Sequence, residues 1–299
     1  MCLYLKNKRK VGMDMKSIVK LMRPKHWIKN ILIAIPAFFS KNLWETQTIT
    51  SLILGFFCFS FASSAVYIFN DIKDIDKDRR HEVKCTRPLA SGAVGISQAK
   101  ALIVVLLAFA AAAGYSIRCA RPYRHFAWCG AYLGINLAYS MKLKHVPVVD
   151  VCILAAGFLI RVFYGAAVSG SAVSSWLCLT VMSFALYMGI GKRRNELHQA
   201  GGSSTRQVLQ YYDVGLLDKY MSMASTLGVV FYSLWAGSGT NVDSWAVWSV
   251  PLVLFILMKY EMAIRGNSYG DPVEVLLSDR ALCGLSVFYA GMMCVLVYV

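Results

Sequence analysis

Acidic residues and histidines are scarce in this 299-residue sequence, which has 16 Asp and Glu against 31 Lys and Arg. Its five histidines show no spacing typical of metal ligands, and its nine cysteines include no C-x-x-C pair, so a Cys- or His-bound metal is not predicted. The net charge of +15 raises the question of nucleic-acid binding. Because the Lys and Arg lie in short tracts between apolar runs, and not in one basic domain, no nucleic-acid partner is predicted.

Processing and linker signals are also missing. No small-residue cleavage site follows the basic start, so no cleaved signal peptide is expected. No strong internal repeat and no Pro- or Ser-rich linker divides the chain, which predicts one membrane domain over 1–299. Residues 1–27 would form a cytosolic or interfacial segment and 28–299 a transmembrane bundle. A short interfacial helix is predicted near the N-terminus from four apolar residues on one helical face, Met15, Ile18, Val19 and Met22.

Long apolar runs dominate the rest of the sequence. Apolar residues make up 57% of the chain and its mean hydropathy is +0.52, both high for a soluble domain of this length. About 20 apolar residues suffice to cross a bilayer. The fold predicted is therefore all-α, a polytopic bundle of about nine transmembrane helices. The nine runs lie near 28–44, 48–69, 97–117, 124–141, 149–168, 175–191, 218–237, 244–262 and 281–298.

The distribution of Lys and Arg predicts the orientation in the plasma (inner) membrane. Cytosolic loops carry more Lys and Arg than external ones, which places the basic N-terminus inside. Four further loops, rich in cations, then face the cytosol: 70–96, 142–148, 192–217 and 263–280. Three arginines fall in an external loop against this rule, Arg118, Arg121 and Arg124.

An acidic motif follows the second apolar run, where the sequence reads Y-I-F-N-D-I-K-D-I-D-K-D-R-R. On a helix, Asn70, Asp71, Asp74 and Asp78 would share one face, whereas Asp76 would lie off it. Carboxylates at this spacing repel one another, and a bound divalent cation removes this electrostatic cost by giving them a common partner. Oxygen ligands without His or Cys favour Mg²⁺, which usually shares its coordination with substrate phosphates. The alternative is a solvated loop of mixed charge.

A deep arginine and several basic or aromatic residues are further candidates for substrate binding. Arg161 lies within the fifth apolar run, where a charge is costly, and Asp150 is about three helical turns away. Its partner must therefore come from another span or from a substrate phosphate. Other candidates lie at the mouths of spans, where membrane anchoring is the alternative role: Lys25, Lys29, Asn30, Tyr67, Arg87, Tyr139, Lys142 and Lys144.

The spacing N-x-x-x-D-x-x-x-D, the block R-P-K-H-W-I-K-N at 23–30 and the nine apolar runs together resemble the UbiA-type superfamily of intramembrane prenyltransferases. Five blocks resemble its decaprenyl-phosphate phosphoribosyltransferase branch: N-D-I-K-D-I-D-K-D-R-R-H-E, R-P-L-A-S-G, Y-S-M-K-L-K-H-V-P-V-V-D, G-K-R-R-N-E-L and G-D-P-V-E-V-L-L-S-D-R. The resemblance implies Mg²⁺-dependent transfer of 5-phosphoribose from phosphoribosyl pyrophosphate to a polyprenyl phosphate in cell-envelope polysaccharide synthesis. Catalytic roles are implied for Asp71, Asp74 and Asp78.

The sequence departs from the superfamily pattern at its second acidic motif. That position here reads G-K-R-R-N-E-L, in which Glu196 is the only acidic residue. Lys192, Arg193 and Arg194 would supply cations for a sugar phosphate and a lipid phosphate, and positive-inside anchoring is the alternative. An aromatic prenyltransferase and, from another class, a secondary transporter are the competing functions. The sequence leaves open whether the chain forms a homo-oligomer.

Overall fold

The computed structural model describes residues 14–80, 83–119, 122–199, 207–238, 244–265 and 271–299. Every regular element in these ranges is a helix, which confirms the predicted all-α fold. The α-helices are α1 Met15–Met22, α2 Ile35–Phe39, α3 Thr46–Lys73, α4 Ile75–Arg80, α5 Ile96–Tyr115, α6 Pro122–Met141, α7 Val149–Ser169, α8 Ser175–Gln199, α9 Val214–Gly237, α10 Val250–Arg265, α11 Pro272–Ser278 and α12 Arg280–Tyr298. Short 3₁₀ segments connect several of them, among them Pro24–Ala34 and Leu143–His145.

Six segments of the described chain are long and apolar enough to cross a membrane, so the predicted count of nine is not confirmed. They are α3, α5, α7, α8, Trp245–Arg265 and α12. Helices α6 and α9 coincide with the predicted runs 124–141 and 218–237 but are not among the six.

The first predicted span, 28–44, is wrong as a continuous helix. The chain forms the 3₁₀ segment Pro24–Ala34, passes directly into the five-residue α2, and leaves helical structure at Ser40. Pro36 lies in the first turn of α2, where its missing N–H costs nothing, whereas inside a longer helix it would remove a hydrogen bond. The tighter 3₁₀ winding also places different side chains on each face than an α-helix would.

The centre of the bundle is α3, which packs against α6 and α7 through aromatic rings. The ring of Phe59 on α3 lies 4.6 Å from that of Tyr132 on α6 and 5.0 Å from that of Tyr164 on α7. Gly165 on α7 allows the 3₁₀ segment to approach closely, because a Cβ there would lie 2.0 Å from the carbonyl oxygen of Ile33. This contact fixes the 3₁₀ segment, which carries Lys29 and Asn30, against the centre of the bundle.

The polar end of α3 is held by α1. The expected N-terminal helix is present as α1, although residues 1–13 of the predicted N-terminal segment lie outside the described residues. Leu21 on α1 is buried in a cluster that includes Ala65 and Ile68 on α3. Ser64 donates a hydrogen bond to the carbonyl oxygen of Met22 at 2.8 Å. These contacts place the residue after α1, Arg23, next to the acidic motif.

Gly165→Ala is expected to destabilise the protein by at least about 1–3 kcal/mol, because the new methyl group would overlap the backbone of Ile33. The measurement is the thermal unfolding midpoint of the purified protein in detergent. Gly130→Ala is the matched control, since a Cβ there meets nothing within 4 Å. An equal midpoint for the two variants would contradict the close approach of the 3₁₀ segment to α7.

Candidate functional site

The acidic motif spans the junction between α3 and α4. Helical hydrogen bonding continues through Asp74, whose N–H donates to the carbonyl oxygen of Asn70 at 2.9 Å, while the N–H of Asp78 donates to Asp74 at 2.8 Å. Asp71 and Asp78 are therefore on the same side and both are buried. The guanidinium of Arg87 bridges their carboxylates at 3.1 and 2.7 Å. Arg87 was predicted as a substrate-binding residue, and the structure brings it into the motif.

Arg23 is a second cation on Asp71 that sequence reasoning missed. Its guanidinium contacts the Oδ1 of Asp71 at 2.5 Å and lies 5.6 Å from the ring centre of Tyr67. Arg23 adopts a left-handed backbone with φ of 55°, a conformation that is costly for a residue with a side chain. The available signal was its position at the start of the R-P-K-H-W-I-K-N block. The predicted residue Tyr67 thus lies beside the motif, one turn before Asn70.

Asp74 and Asn70 face α6 and the loop that follows it. Lys144 donates to Asp74 at 2.6 Å, and Ser140 donates to the side-chain oxygen of Asn70. Lys144 was a predicted site residue, so this placement brings it to the motif. Asp76 is 81% exposed and pairs with Arg79 at 3.5 Å, outside the site, as expected.

The side chains of the acidic motif can be compared with the ligands that Mg²⁺ requires. In the described chain, no group of three His, Cys, Asp or Glu side chains could hold a metal ion. Arg and Lys side chains compensate the charges of the three carboxylates of the motif. Each carboxylate nevertheless has one oxygen that accepts no hydrogen bond from a described residue: Oδ2 of Asp71, Oδ2 of Asp74 and Oδ1 of Asp78. Mg²⁺ is usually held by one or two carboxylates together with substrate phosphate oxygens. The donor set therefore fits Mg²⁺ with a phosphorylated substrate.

A second charged cluster lies near Tyr67 and consists of Asp271, Lys29, Lys192 and His26. Asp271 accepts a hydrogen bond from Lys29 at 2.8 Å, and Lys192 and His26 both lie 4.0 Å from the same carboxylate. Burial of Asp271 opposes ionisation, but the neighbouring ammonium groups outweigh it and lower its pKa to about 2. Burial, assisted by Lys29, lowers the pKa of His26 to about 4. At neutral pH the carboxylate is charged and the imidazole is neutral.

The basic triplet at 192–194 splits into three separate environments. Arg193 is fully buried and contacts Asp150 at 2.5 Å, Glu196 at 2.8 Å and the hydroxyl of Tyr139 at 3.2 Å. Every nitrogen of its guanidinium has an internal acceptor. Arg194 pairs with Asp218 at 2.5 Å. Of the triplet, only Lys192 lies against the second charged cluster.

Arg161 takes two partners from other segments, Asn30 and Tyr132, as expected, and one from its own helix, and all three are neutral. Its guanidinium donates to Asn30 at 2.8 Å and to the carbonyl oxygen of Gly157 at 2.6 Å, and it lies 4.9 Å from the ring centre of Tyr132. No carboxylate of a described residue is within ion-pair distance. The amide of Asn30 also donates to Ser60 at 2.9 Å. Arg161 and Asn30 are thus part of an internal network next to Lys29.

Two predicted residues lie away from these contacts. Lys25 and Lys142 are exposed, and neither forms an ion pair with another residue of the described ranges. Membrane anchoring explains both positions as well as substrate binding does.

Comparisons with known proteins identify the family of the chain. The profile of the UbiA prenyltransferase family matches residues 31–276. The chain is 30% identical to the decaprenyl-phosphate phosphoribosyltransferase of Corynebacterium glutamicum, over 94% of this chain and 87% of that protein. It is 32% identical to the Mycobacterium tuberculosis protein of the same name, over 89% of both. A UbiA homolog from Archaeoglobus fulgidus, solved with GPP and Mg²⁺, superposes with a TM-score of 0.72 at 17% identity, over 95% of this chain and 100% of that one.

Arg193→Met is expected to cost about 3–5 kcal/mol of stability, because it leaves the buried Asp150 without its cation. The double variant with Asp150→Asn should recover most of the loss. Arg265→Met is the control, since Arg265 is half exposed and its loss should cost no more than about 1 kcal/mol. Unfolding midpoints in detergent measure all three. A wild-type midpoint in Arg193→Met would show that the ion pair does not stabilise the bundle.

Proposed function

The chain belongs to the UbiA prenyltransferase family and is a multi-pass membrane enzyme of the transferase class, and from this premise we propose that it transfers 5-phosphoribose from phosphoribosyl pyrophosphate to a polyprenyl phosphate. The resemblance inferred from its motifs is confirmed. The observation that carries the proposal is that the carboxylates of the acidic motif lie near a pair of lysines, Lys29 and Lys192, which meet at Asp271. The two groups are connected through His26 and Tyr67, and Lys192 stands at the position where a second acidic motif would be. A site with these cations suits two phosphorylated substrates.

The donor would bind at the acidic motif. Asp71, Asp74 and Asp78 would hold Mg²⁺ through their free oxygens, with Asn70 as a further oxygen ligand, and the ion would neutralise the diphosphate as it leaves. Arg87 lies against the motif and is half exposed, so its guanidinium is in position to bind the ribose 5-phosphate.

The reaction requires little acid–base chemistry from the chain. An oxygen of the lipid phosphate attacks C1 of the ribose, the bond from C1 to the diphosphate oxygen breaks, and diphosphate leaves with the bonding electron pair. Since the phosphate is already an anion at neutral pH, no general base is needed to activate it. The work of the protein is to position two anions and to stabilise the developing charges.

The membrane setting is part of the same proposal. The basic loops predict that the site faces the cytosol from the plasma membrane, where phosphoribosyl pyrophosphate is available. The polyprenyl tail would lie among the apolar helices of a single membrane domain. The product would serve cell-envelope polysaccharide synthesis, and decaprenyl phosphate is the acceptor named for the relatives.

Purified protein in detergent with Mg²⁺ is expected to transfer label from radiolabelled phosphoribosyl pyrophosphate to decaprenyl phosphate. Thin-layer separation of the lipid product measures the transfer. A parallel reaction replaces the donor by a prenyl diphosphate and the acceptor by 4-hydroxybenzoate. Labelled product only in the parallel reaction would favour the aromatic prenyltransferase and would defeat the proposal.

Asp71→Ala and Asp74→Ala are each expected to lower kcat at least about 100-fold, because each removes an oxygen ligand for the metal–diphosphate complex. Asp76→Ala is the matched control, since Asp76 lies in the adjoining helix α4 but is exposed and outside the site. Unfolding midpoints separate lost chemistry from lost folding. Full activity in both site variants would refute the role of the acidic motif.

A further inference from the structure

Lys29 and Lys192 come from distant parts of the chain and meet at one carboxylate. Both lie against Oδ2 of Asp271, at 2.8 and 4.0 Å. The other oxygen of Asp271 accepts the N–H of Val273 at 3.0 Å as the N-cap of α11. The carboxylate is therefore anchored by its helix on one side and presents its charge to the two lysines on the other.

The two ammonium groups keep most of their donors available. An ammonium has three N–H donors. Lys29 uses one of them on Asp271, and Lys192 donates no hydrogen bond to any described residue although it lies beside the carboxylate. The side chain of Lys192 is 33% exposed, so an anion can reach it. A phosphate between the two lysines would fill these donors with charge-assisted hydrogen bonds.

Both lysines lie at the ends of apolar runs, where the headgroup of a membrane lipid would be expected. Lys192 directly follows the apolar run 175–191 in α8, and Lys29 lies at the start of the run 28–44. A phosphate on a polyprenyl chain must stay at this boundary because its tail is in the hydrocarbon layer. The acidic motif, in contrast, continues beyond α3 into α4, where a water-soluble donor has access.

The lysine pair also adjoins the acidic motif. His26 lies beside Asp271, and its ring is 5.5 Å from that of Tyr67. Tyr67 in turn lies beneath Arg23, which contacts Asp71. An acceptor phosphate on the lysine pair is therefore on the same side of the bundle as a donor bound at the motif.

We propose that Lys29 and Lys192 bind the phosphate of the polyprenyl acceptor, and that Asp271 is an internal counter-anion that competes with this phosphate for the two ammonium groups. The inference rests on the proposed function and assigns the phosphate bound by each basic cluster. With Asp271 charged and His26 neutral, the lysine cluster carries a net charge of +1, and removing the carboxylate charge makes it +2. The carboxylate of Asp271 thus keeps the two ammonium groups close together in the absence of lipid. After transfer, it weakens their binding of the lipid phosphate.

Lys192→Met is the first test, with steady-state kinetics in both substrates. It is expected to raise KM for decaprenyl phosphate about 10- to 100-fold, the loss of one charge-assisted hydrogen bond, while KM for phosphoribosyl pyrophosphate changes less than about twofold. Lys192→Arg should restore part of the affinity. Lys219→Met is the matched control, an exposed lysine on α9 outside both clusters.

Asp271→Asn is the second test, and it is expected to change KM for decaprenyl phosphate in the opposite direction to Lys192→Met. Asparagine keeps the N-cap of α11, so folding is preserved, and KM for decaprenyl phosphate is expected to fall about 3- to 10-fold as competition is removed. A rise in this KM, or an effect confined to the sugar donor, would overturn the role of Asp271.

The two levels of the proposal fail in different ways. If the wild type transfers phosphoribose but Lys192→Met changes only the KM of phosphoribosyl pyrophosphate, the lysine pair binds the donor and the assignment falls while the function stands. If the wild type shows no transfer from phosphoribosyl pyrophosphate, the proposed function falls and the assignment with it. A lower unfolding midpoint in Lys192→Met with both KM values unchanged would mean a structural role, which also overturns the assignment.

Discussion

Carboxylates at the edge of a hydrocarbon layer must be paired with cations or hydrated, and this requirement organises the polar end of the bundle. Asp71 and Asp78 are buried and share Arg87, while Asp71 also contacts Arg23 and Asp74 contacts Lys144. The cations come from the segment after α1, from the loop before α5 and from the loop after α6. The acidic motif therefore ties three connections to the end of α3 by ion pairs, and the loop before α5 also buries Leu89 and Val94 in the core.

The same pairing of carboxylates with cations explains which parts of the site could be predicted from the sequence. The acidic motif could be found because its members lie within eight residues of one another at a helical spacing. Lys144 and Arg87 could be proposed because they lie in predicted cytosolic loops beside spans. Arg23 and Asp271 could not be found this way, since their partners are 48 and 242 positions away and no spacing rule predicts such contacts.

The fold shows the same division between local and distant information. Long apolar runs predicted α3, α5, α7 and α12 to within about four residues at their ends, because hydropathy is a local property. Helix α8 begins as predicted but continues to Gln199, beyond the end of its run at 191. The first run did not form the expected helix. Its 3₁₀ winding goes with a close approach to Gly165, which lies more than 130 residues further along the chain, so tertiary packing decided the local conformation.

The basic triplet shows how burial separates structural cations from those available to a substrate. Successive residues on a helix point about 100° apart, so three adjacent cations cannot face one ligand. Arg193 points into the bundle, where it is 1% exposed and each nitrogen of its guanidinium already donates to an internal acceptor, so a phosphate cannot reach it. Lys192 points to the charged cluster with its donors available. Under the proposed assignment, the basic motif therefore brings one new cation to the site, Lys192, and Lys29 from the 3₁₀ segment supplies the second.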